Sequence, residues 1–220
     1  MTPAPAAVAA AIQTVGKAEK ILDAAAQVFV EQGYSAASMD EISRVAGVSK
    51  ATVYAHFSSK EQLFATVVTT ECQRHSQTLM AADIDRRDVR SALMGIGGEF
   101  LELLTMPRAL AFYRMVAIEA MRQGTHDLGR IFYDSAAVTA QDRLTDFIRR
   151  AADRGQLDVP DPRRAAIHFY SLVKGDLFMT CLFGVVKMPS EEAKHRAVAS
   201  AVDMFLRAYG PKSSAPKSGK

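Results

Sequence analysis

Ser38-Met-Asp-Glu-Ile-Ser-Arg-Val-Ala-Gly-Val-Ser-Lys-Ala-Thr-Val-Tyr-Ala-His-Phe-Ser-Ser-Lys-Glu-Gln-Leu-Phe64 is the stretch that decides the fold. Ser38 and Glu41 have the spacing of a capping box, in which the serine oxygen and the glutamate each satisfy an orphan backbone N–H. Ile42, Val45 and Ala46 give the short helix that follows one apolar face. Gly47 comes next, where a left-handed residue stops a helix. Val48 staples the turn to the core, and Ser49 caps a second helix. Val53 and Phe57 mark the buried side of that helix. Lys50, Ala51, Thr52, Tyr54 and His56 are left to face outward or bridge. Ser58 with Glu61 reads as a second capping box, opening a helix through Leu63, Phe64, Val67 and Val68. Two helices joined by a short turn containing Gly make a helix-turn-helix.

In that motif the second helix enters the major groove and its N-terminal residues meet base edges. Lys50 suits guanine O6 or N7, or a phosphate. Thr52 offers a hydroxyl and a methyl, which match a thymine edge. Tyr54 and His56 carry polar tips suited to phosphates, which fix register without reading sequence. Lys60, in the first turn of the next helix, is expected to hold a phosphate together with that helix N-terminus.

Residues 21–68 closely resemble the DNA-binding domain of TetR-family (tetracycline-repressor-like) regulators. The resemblance rests on Phe29, Gly33-Tyr34, Ser38, Ile42, Ala46-Gly47-Val48-Ser49, Lys50, Thr52-Val53-Tyr54, His56-Phe57, Lys60 and Leu63. It implies that Ser38, Lys50, Ala51, Thr52, Tyr54, His56 and Lys60 face DNA. Two positions depart from the family pattern: Ala37 stands where threonine is frequent, and Ala51 where glycine is frequent. The Ala51 methyl adds bulk at the groove surface.

Charge refines the picture. The chain has 220 residues and a net charge of +3. The end of the chain, residues 210–220, carries Lys212, Lys217 and Lys220 with no acid, so the rest is formally neutral. Within residues 17–64, five bases (17, 20, 44, 50, 60) face six acids (19, 23, 31, 40, 41, 61). DNA affinity therefore has to come from placement, with Arg44, Lys50 and Lys60 near the groove. The candidate DNA contacts are Ser38, Arg44, Ser49, Lys50, Ala51, Thr52, Tyr54, His56 and Lys60. No apolar run approaches the roughly 20 residues of a membrane span, and the first 16 residues lack the basic start of a signal peptide. Cys72 and Cys181 lie far apart in apolar helical patterns, which favours free thiols and a cytoplasmic location.

The periodicity is helical throughout and predicts an all-α fold of about nine helices. Residues 1–16 read as a flexible arm, 17–64 as a three-helix DNA-binding domain, 65–209 as a larger effector-binding and dimerisation domain, and 210–220 as a disordered basic tail. The first helix spans Lys17–Gln32 and buries Ile21, Ala25, Val28 and Phe29. The fourth runs to about Met80 and joins the domains. The charged 83–90 segment leads into a fifth, to about Leu104. A sixth starts near Pro107 and runs to about Arg122, with Gly124 behind it. A seventh spans about 127–154. Asp161-Pro162 opens an eighth, to about Val186, and Ser190 a ninth, to about Tyr209.

Ala166, Tyr170, Val173, Leu177 and Cys181 on the eighth helix, with Val198, Ala201, Val202 and Phe205 on the ninth, form stripes suited to pairing with a second copy. Met94, Phe100, Phe112, Met115, Phe132, Tyr133, Phe147 and Phe169 are candidate linings of an adaptable apolar pocket. Glu119, His168 and Asp176 are polar groups inside those patterns. A buried carboxylate needs a partner, and a ligand cation or an internal base such as Lys174 would serve. Gly95-Ile-Gly97-Gly98 lacks the strand of a phosphate loop and reads as a close-packing site. Cys72 and His75 supply two ligands, too few for a structural metal site. No metal or cofactor is expected, and no catalytic constellation has local context, so an enzyme is disfavoured. The expected function is a homodimeric DNA-binding regulator, a repressor released from a palindromic operator by an unidentified small molecule. The rivals are a helical protein-interaction module without DNA binding and a helical enzyme.

Overall fold

The computed structural model describes residues 5–75, 88–121 and 127–211, and all regular structure among them is helical. The helices are α1 (Pro5–Gln32), α2 (Met39–Ala46), α3 (Lys50–His56), α4 (Lys60–His75), α5 (Val89–Thr105), α6 (Pro107–Glu119), α7 (Leu128–Tyr133), α8 (Thr139–Asp153), α9 (Pro162–Leu182) and α10 (Glu191–Tyr209). A π-helical segment, Asp134–Val138, joins α7 to α8 without a break. That run is the expected seventh helix, so α9 and α10 are the expected eighth and ninth.

Several boundaries differ from expectation. Residues 5–16 are not an arm but the first turns of α1, because Pro fits a first helical turn and the following alanines are the strongest helix formers. The expected ends of the fourth and sixth helices at Met80 and Arg122, with Gly124 and most of 83–90, lie outside the described residues, as do 212–220. Helix α9 stops at Leu182, and Gly175 at φ 44°, ψ −153° divides it into two helical pieces. L-residues with a Cβ avoid that backbone region.

The chain forms two compact units, Met1–Cys72 with Ala111–Ala136, and Gln73–Leu110 with Ala137–Lys220. The first is larger than the expected 17–64 domain because apolar groups of α6 and α7 belong to its core. Phe112, Met115, Val116 and Leu128 are buried in one cluster with Ile21, Val28, Phe29, Ile42, Val53, Phe57 and Phe64. Phe29 meets Phe64 edge-on at 5.4 Å, and Phe64 lies 6.2 Å from Phe112.

In the second unit α9 packs against α5, α8 and α10, and α5 also packs against α10. Leu93, Leu101, Leu144, Phe147, Ile148, Phe169, Val202 and Phe205 are the large groups of its core. Gly97 is required there: a Cβ would stand 2.8 Å from Val198 Cγ1 and 3.3 Å from Phe169. The close-packing role expected for this glycine run thus falls on Gly97.

Candidate nucleic-acid interface

Each turn of the Ser38–Phe64 region is set by a local bond. Ser38 Oγ accepts the Glu41 N–H at 3.1 Å, which starts α2. The Glu41 carboxylate does not reach back to complete the box; it takes Arg44 instead, at 2.6 and 2.9 Å. Gly47 adopts φ 65°, and its N–H and that of Val48 donate to carbonyls of Arg44 and Ser43, ending the helix. Ser49 Oγ accepts the Thr52 N–H at 3.1 Å and lies 2.8 Å from Thr52 Oγ1. The second capping box is displaced by one residue. Ser59 Oγ accepts from the Gln62 N–H, and the Gln62 side chain accepts from Ser58 N–H and Oγ.

Helix α3 buries Val53, with Phe57 at its C-cap, and turns Lys50, Ala51 and Tyr54 outward, Tyr54 being 47% exposed. Thr52 and His56 are half-buried at the edges of that face. The cations close to it are held by acids of α2. Lys50 Nζ lies 2.7 Å from Asp40, and Arg44 is bidentate on Glu41. Each acid keeps its base charged: the Asp40 carboxylate raises the Lys50 pKa, and Glu41 raises that of Arg44. Exposed pairs of this kind are weak because solvent screens them, so a phosphate can replace the carboxylate at little cost.

Lys60 is placed differently. Its ammonium donates to the carbonyls of Tyr34 (2.9 Å), Ala37 (2.9 Å) and Ser35 (3.4 Å), and it sits over the Tyr34 ring at 4.6 Å. Burial pushes its pKa below the usual lysine range. The three donors of an ammonium are thus engaged on protein carbonyls in the free chain, where Lys60 braces the α1–α2 turn. The same turn is gripped from α6. Ser35 Oγ donates to the carboxylate of Glu119, which is 5% exposed. Gly33, at φ 83°, leaves space for that carboxylate: a Cβ there would stand 2.8 Å from Glu119 Oε1.

This geometry agrees with what the chain is similar to. Residues 21–67 match the family of bacterial regulatory proteins described as the tetR family, and residues 91–211 match the C-terminal domain of AefR-like transcriptional repressors. The chain belongs to the TetR family. As a member it is a DNA-binding transcriptional regulator. The flavonoid-responsive regulator FrrA shares the fold at a TM-score of 0.71 and 35% identity, over 90% of this chain and 98% of that one. The regulator SrpR of Pseudomonas putida is 28% identical over 165 residues, 73% of each protein. The activator FasR of Mycolicibacterium smegmatis is 50% identical over 62 residues, which is 28% of this chain and 26% of that protein.

The second half of this TetR-family chain departs further from expectation. Of the candidate pocket residues, Phe112, Met115, Glu119, Phe132 and Tyr133 fall in the first unit, and Met94, Phe100, Phe147, His168, Phe169 and Asp176 in the second. Phe112, Met115, Phe147 and Phe169 are core, and Tyr133 is exposed. Asp176 is exposed rather than buried, and the exposed His168 is hydrogen-bonded through Nδ1 to the Tyr209 hydroxyl at 2.7 Å. Glu119 has Ser35 and needs no ligand cation. A cleft of about 570 Å³ opens on the second unit, lined by Met94, Gly98, Glu99, Glu102, Lys194 and His195 among others, and Lys194 is held by Glu102 and Glu191.

The expected dimer stripe is corrected too. Ala166, Val173, Cys181, Val198, Ala201, Val202 and Phe205 are buried inside their own unit, and Tyr170 and Leu177 pack against that core. The reason is register: these positions are buried within the single chain, so the outward positions are others. Ile167, Met179 (42% exposed), Phe183 (73% exposed), Val185 and Met188 lie outward on α9 and the segment after it, with Met204 on α10.

Proposed function

We propose that this TetR-family regulator is a homodimeric repressor that holds a palindromic operator and releases it when a small aromatic molecule binds the second unit. The observation that carries the DNA half of this reading is the α3 face, where Lys50, Ala51 and Tyr54 are free of the core while Ser49 fixes the first turn. In the complex, Lys50 and Arg44 exchange their carboxylates for phosphates or a guanine edge, and Thr52 meets a thymine methyl. Ser38, Ser49, Tyr54 and His56 contact the backbone, and Ala51 presses its methyl on the groove. Lys60 and Glu119 act indirectly, by holding the α1–α2 turn.

Repression, rather than activation, is supported by the AefR-like repressor match over residues 91–211. The FasR activator resembles only about a quarter of the chain. An aromatic effector is supported by FrrA, which is described as flavonoid-responsive and matches across nearly its whole length. Pairing through the outward apolar groups of α9 and α10 supplies the two-fold that a palindrome requires. The free thiols of Cys72 and Cys181 fit a cytoplasmic setting. Helical structure passes from one unit into the other at three places, in α4 after Cys72, in α6 after Leu110 and in the π-helical segment after Ala136. They are the carriers of the signal in this reading, and a coupling of about 1–3 kcal/mol changes affinity roughly 5–150-fold.

Fluorescence anisotropy on DNA from the promoter region upstream of the protein's own gene tests this reading. Binding is expected to be tighter than to random DNA at the same salt and to weaken on adding 7-hydroxyflavone. Equal affinity for both DNAs contradicts operator recognition.

A further inference from the structure

Most side-chain cations of the second unit for which a contact is described are neutralised by a carboxylate. Lys194 is held by Glu102 and Glu191, Arg90 by Asp203, Arg149 by Asp146 and Arg163 by Asp142. Lys174 is not among them. It is half-buried, and no carboxylate or carbonyl among the described residues accepts from its ammonium. Its neighbour is the ring of Phe100, 6.0 Å from Nζ to centroid. Phe100 lies against Tyr170, centroids 4.2 Å apart and planes tilted by 47°, and the Tyr170 hydroxyl is turned away to the Ala140 carbonyl at 3.3 Å. Burial lowers the Lys174 pKa, and no nearby acid offsets it.

A methionine or leucine would cover Phe100 without the cost of desolvating a charge. Gly175 breaks α9 directly after Lys174, the last residue of the first helical piece. The surroundings are two half-buried π faces and the Lys174 ammonium with donors to spare, with Arg143 and Glu99 of opposite sign both acting on Tyr170. They complement a flat ring system that ends in an anion, through stacking on the rings and a charge-assisted hydrogen bond.

We propose that Lys174, with the rings of Phe100 and Tyr170, anchors a planar aromatic ligand bearing one negative charge, a carboxylate or a phenolate. This rests on the effector-responsive reading above and narrows it: the ligand is an acid, since neither carboxylate that left room for a ligand cation calls for one, Glu119 being hydrogen-bonded by Ser35 and Asp176 lying in solvent.

Isothermal titration of the full chain with matched probes tests the site. The carboxylate arm compares 2-naphthoate with 2-naphthamide, and the phenolate arm compares 7-hydroxyflavone with 7-methoxyflavone. The protein is expected to prefer at least one acid over its neutral twin by about tenfold or more, the range of a hydrogen bond to a charged group. Lys174→Met is expected to abolish the preference while still binding the neutral twin, and Lys174→Arg to keep it. Absence of preference in the parent, an unchanged preference in Lys174→Met, or no binding of either acid at millimolar concentration overturns the proposal. Anisotropy of the DNA complex is read in parallel. An acid that binds through Lys174 yet leaves the complex intact upholds the site and overturns its role as effector.

Discussion

Removing the Lys60 ammonium takes a donor from the carbonyls of Tyr34, Ser35 and Ala37 together. Lys60→Ala is therefore expected to cost the free protein about 1–3 kcal/mol of stability, the penalty for losing hydrogen bonds to a charged group. Urea denaturation measures it, and a variant as stable as the parent would contradict the brace. The contrast is Lys50, whose only described ion pair is an exposed one with Asp40. Lys50→Ala is expected to leave stability unchanged and to lower the salt slope of DNA binding by about 1. Lys60→Ala is expected to leave that slope alone; a slope reduced by about 1 there would place a phosphate on Lys60 after all. The sequence located both lysines but not this difference. Lys60 stands 26 residues from Tyr34, and nothing in local spacing announces that the α1–α2 turn comes back over α4. A still longer separation, 84 residues, hid the Ser35–Glu119 bond, although Glu119 was legible as a buried acid that needed a partner.

Helices reveal themselves in a sequence when their ends carry local bonds. The starts of α2 and α3 and the glycine between them were legible because Ser38, Gly47 and Ser49 each act within a few residues. At α4 the run Ser58-Ser-Lys-Glu-Gln62 offers two registers, Ser58 with Glu61 or Ser59 with Gln62, and the structure takes the second. The break in α9 was hidden because a glycine within a regular apolar period is compatible with an unbroken helix. Its function is conformational, since a Cβ at Gly175 meets nothing within 4 Å. Gly175→Ala is accordingly expected to destabilise the protein through backbone strain alone, by about 1–3 kcal/mol. Thermal unfolding measures the loss, and an unchanged midpoint would show that the break relaxes freely. The pocket and dimer stripes were less legible still. A Met or aromatic residue at helical spacing serves a core, a pocket or an interface equally well, and here Phe112, Met115, Phe147, Phe169 and Phe205 are core.

At the scale of the whole molecule, two heads can grip two half-sites only if the protein pairs. In the proposed dimer Phe183 and Met179 offer the pairing surface, since both are apolar and exposed on one chain. Phe183→Glu is expected to leave a folded monomer, because the ring makes little contribution to its own core, and to weaken operator binding sharply. Sedimentation velocity at micromolar concentration reads this directly, and a dimer of unchanged mass would move the interface elsewhere. Outside residues 210–220 the chain carries no net charge, so recognition depends on which few residues meet the groove. The measurement that tests this most directly is selection of bound duplexes from a random pool by the full-length protein near physiological salt. The expected result is one inverted repeat, its half-sites about 34 Å apart centre to centre or a multiple of that, bound by a dimer. Enrichment of no motif, or of a single unpaired half-site, would contradict the account.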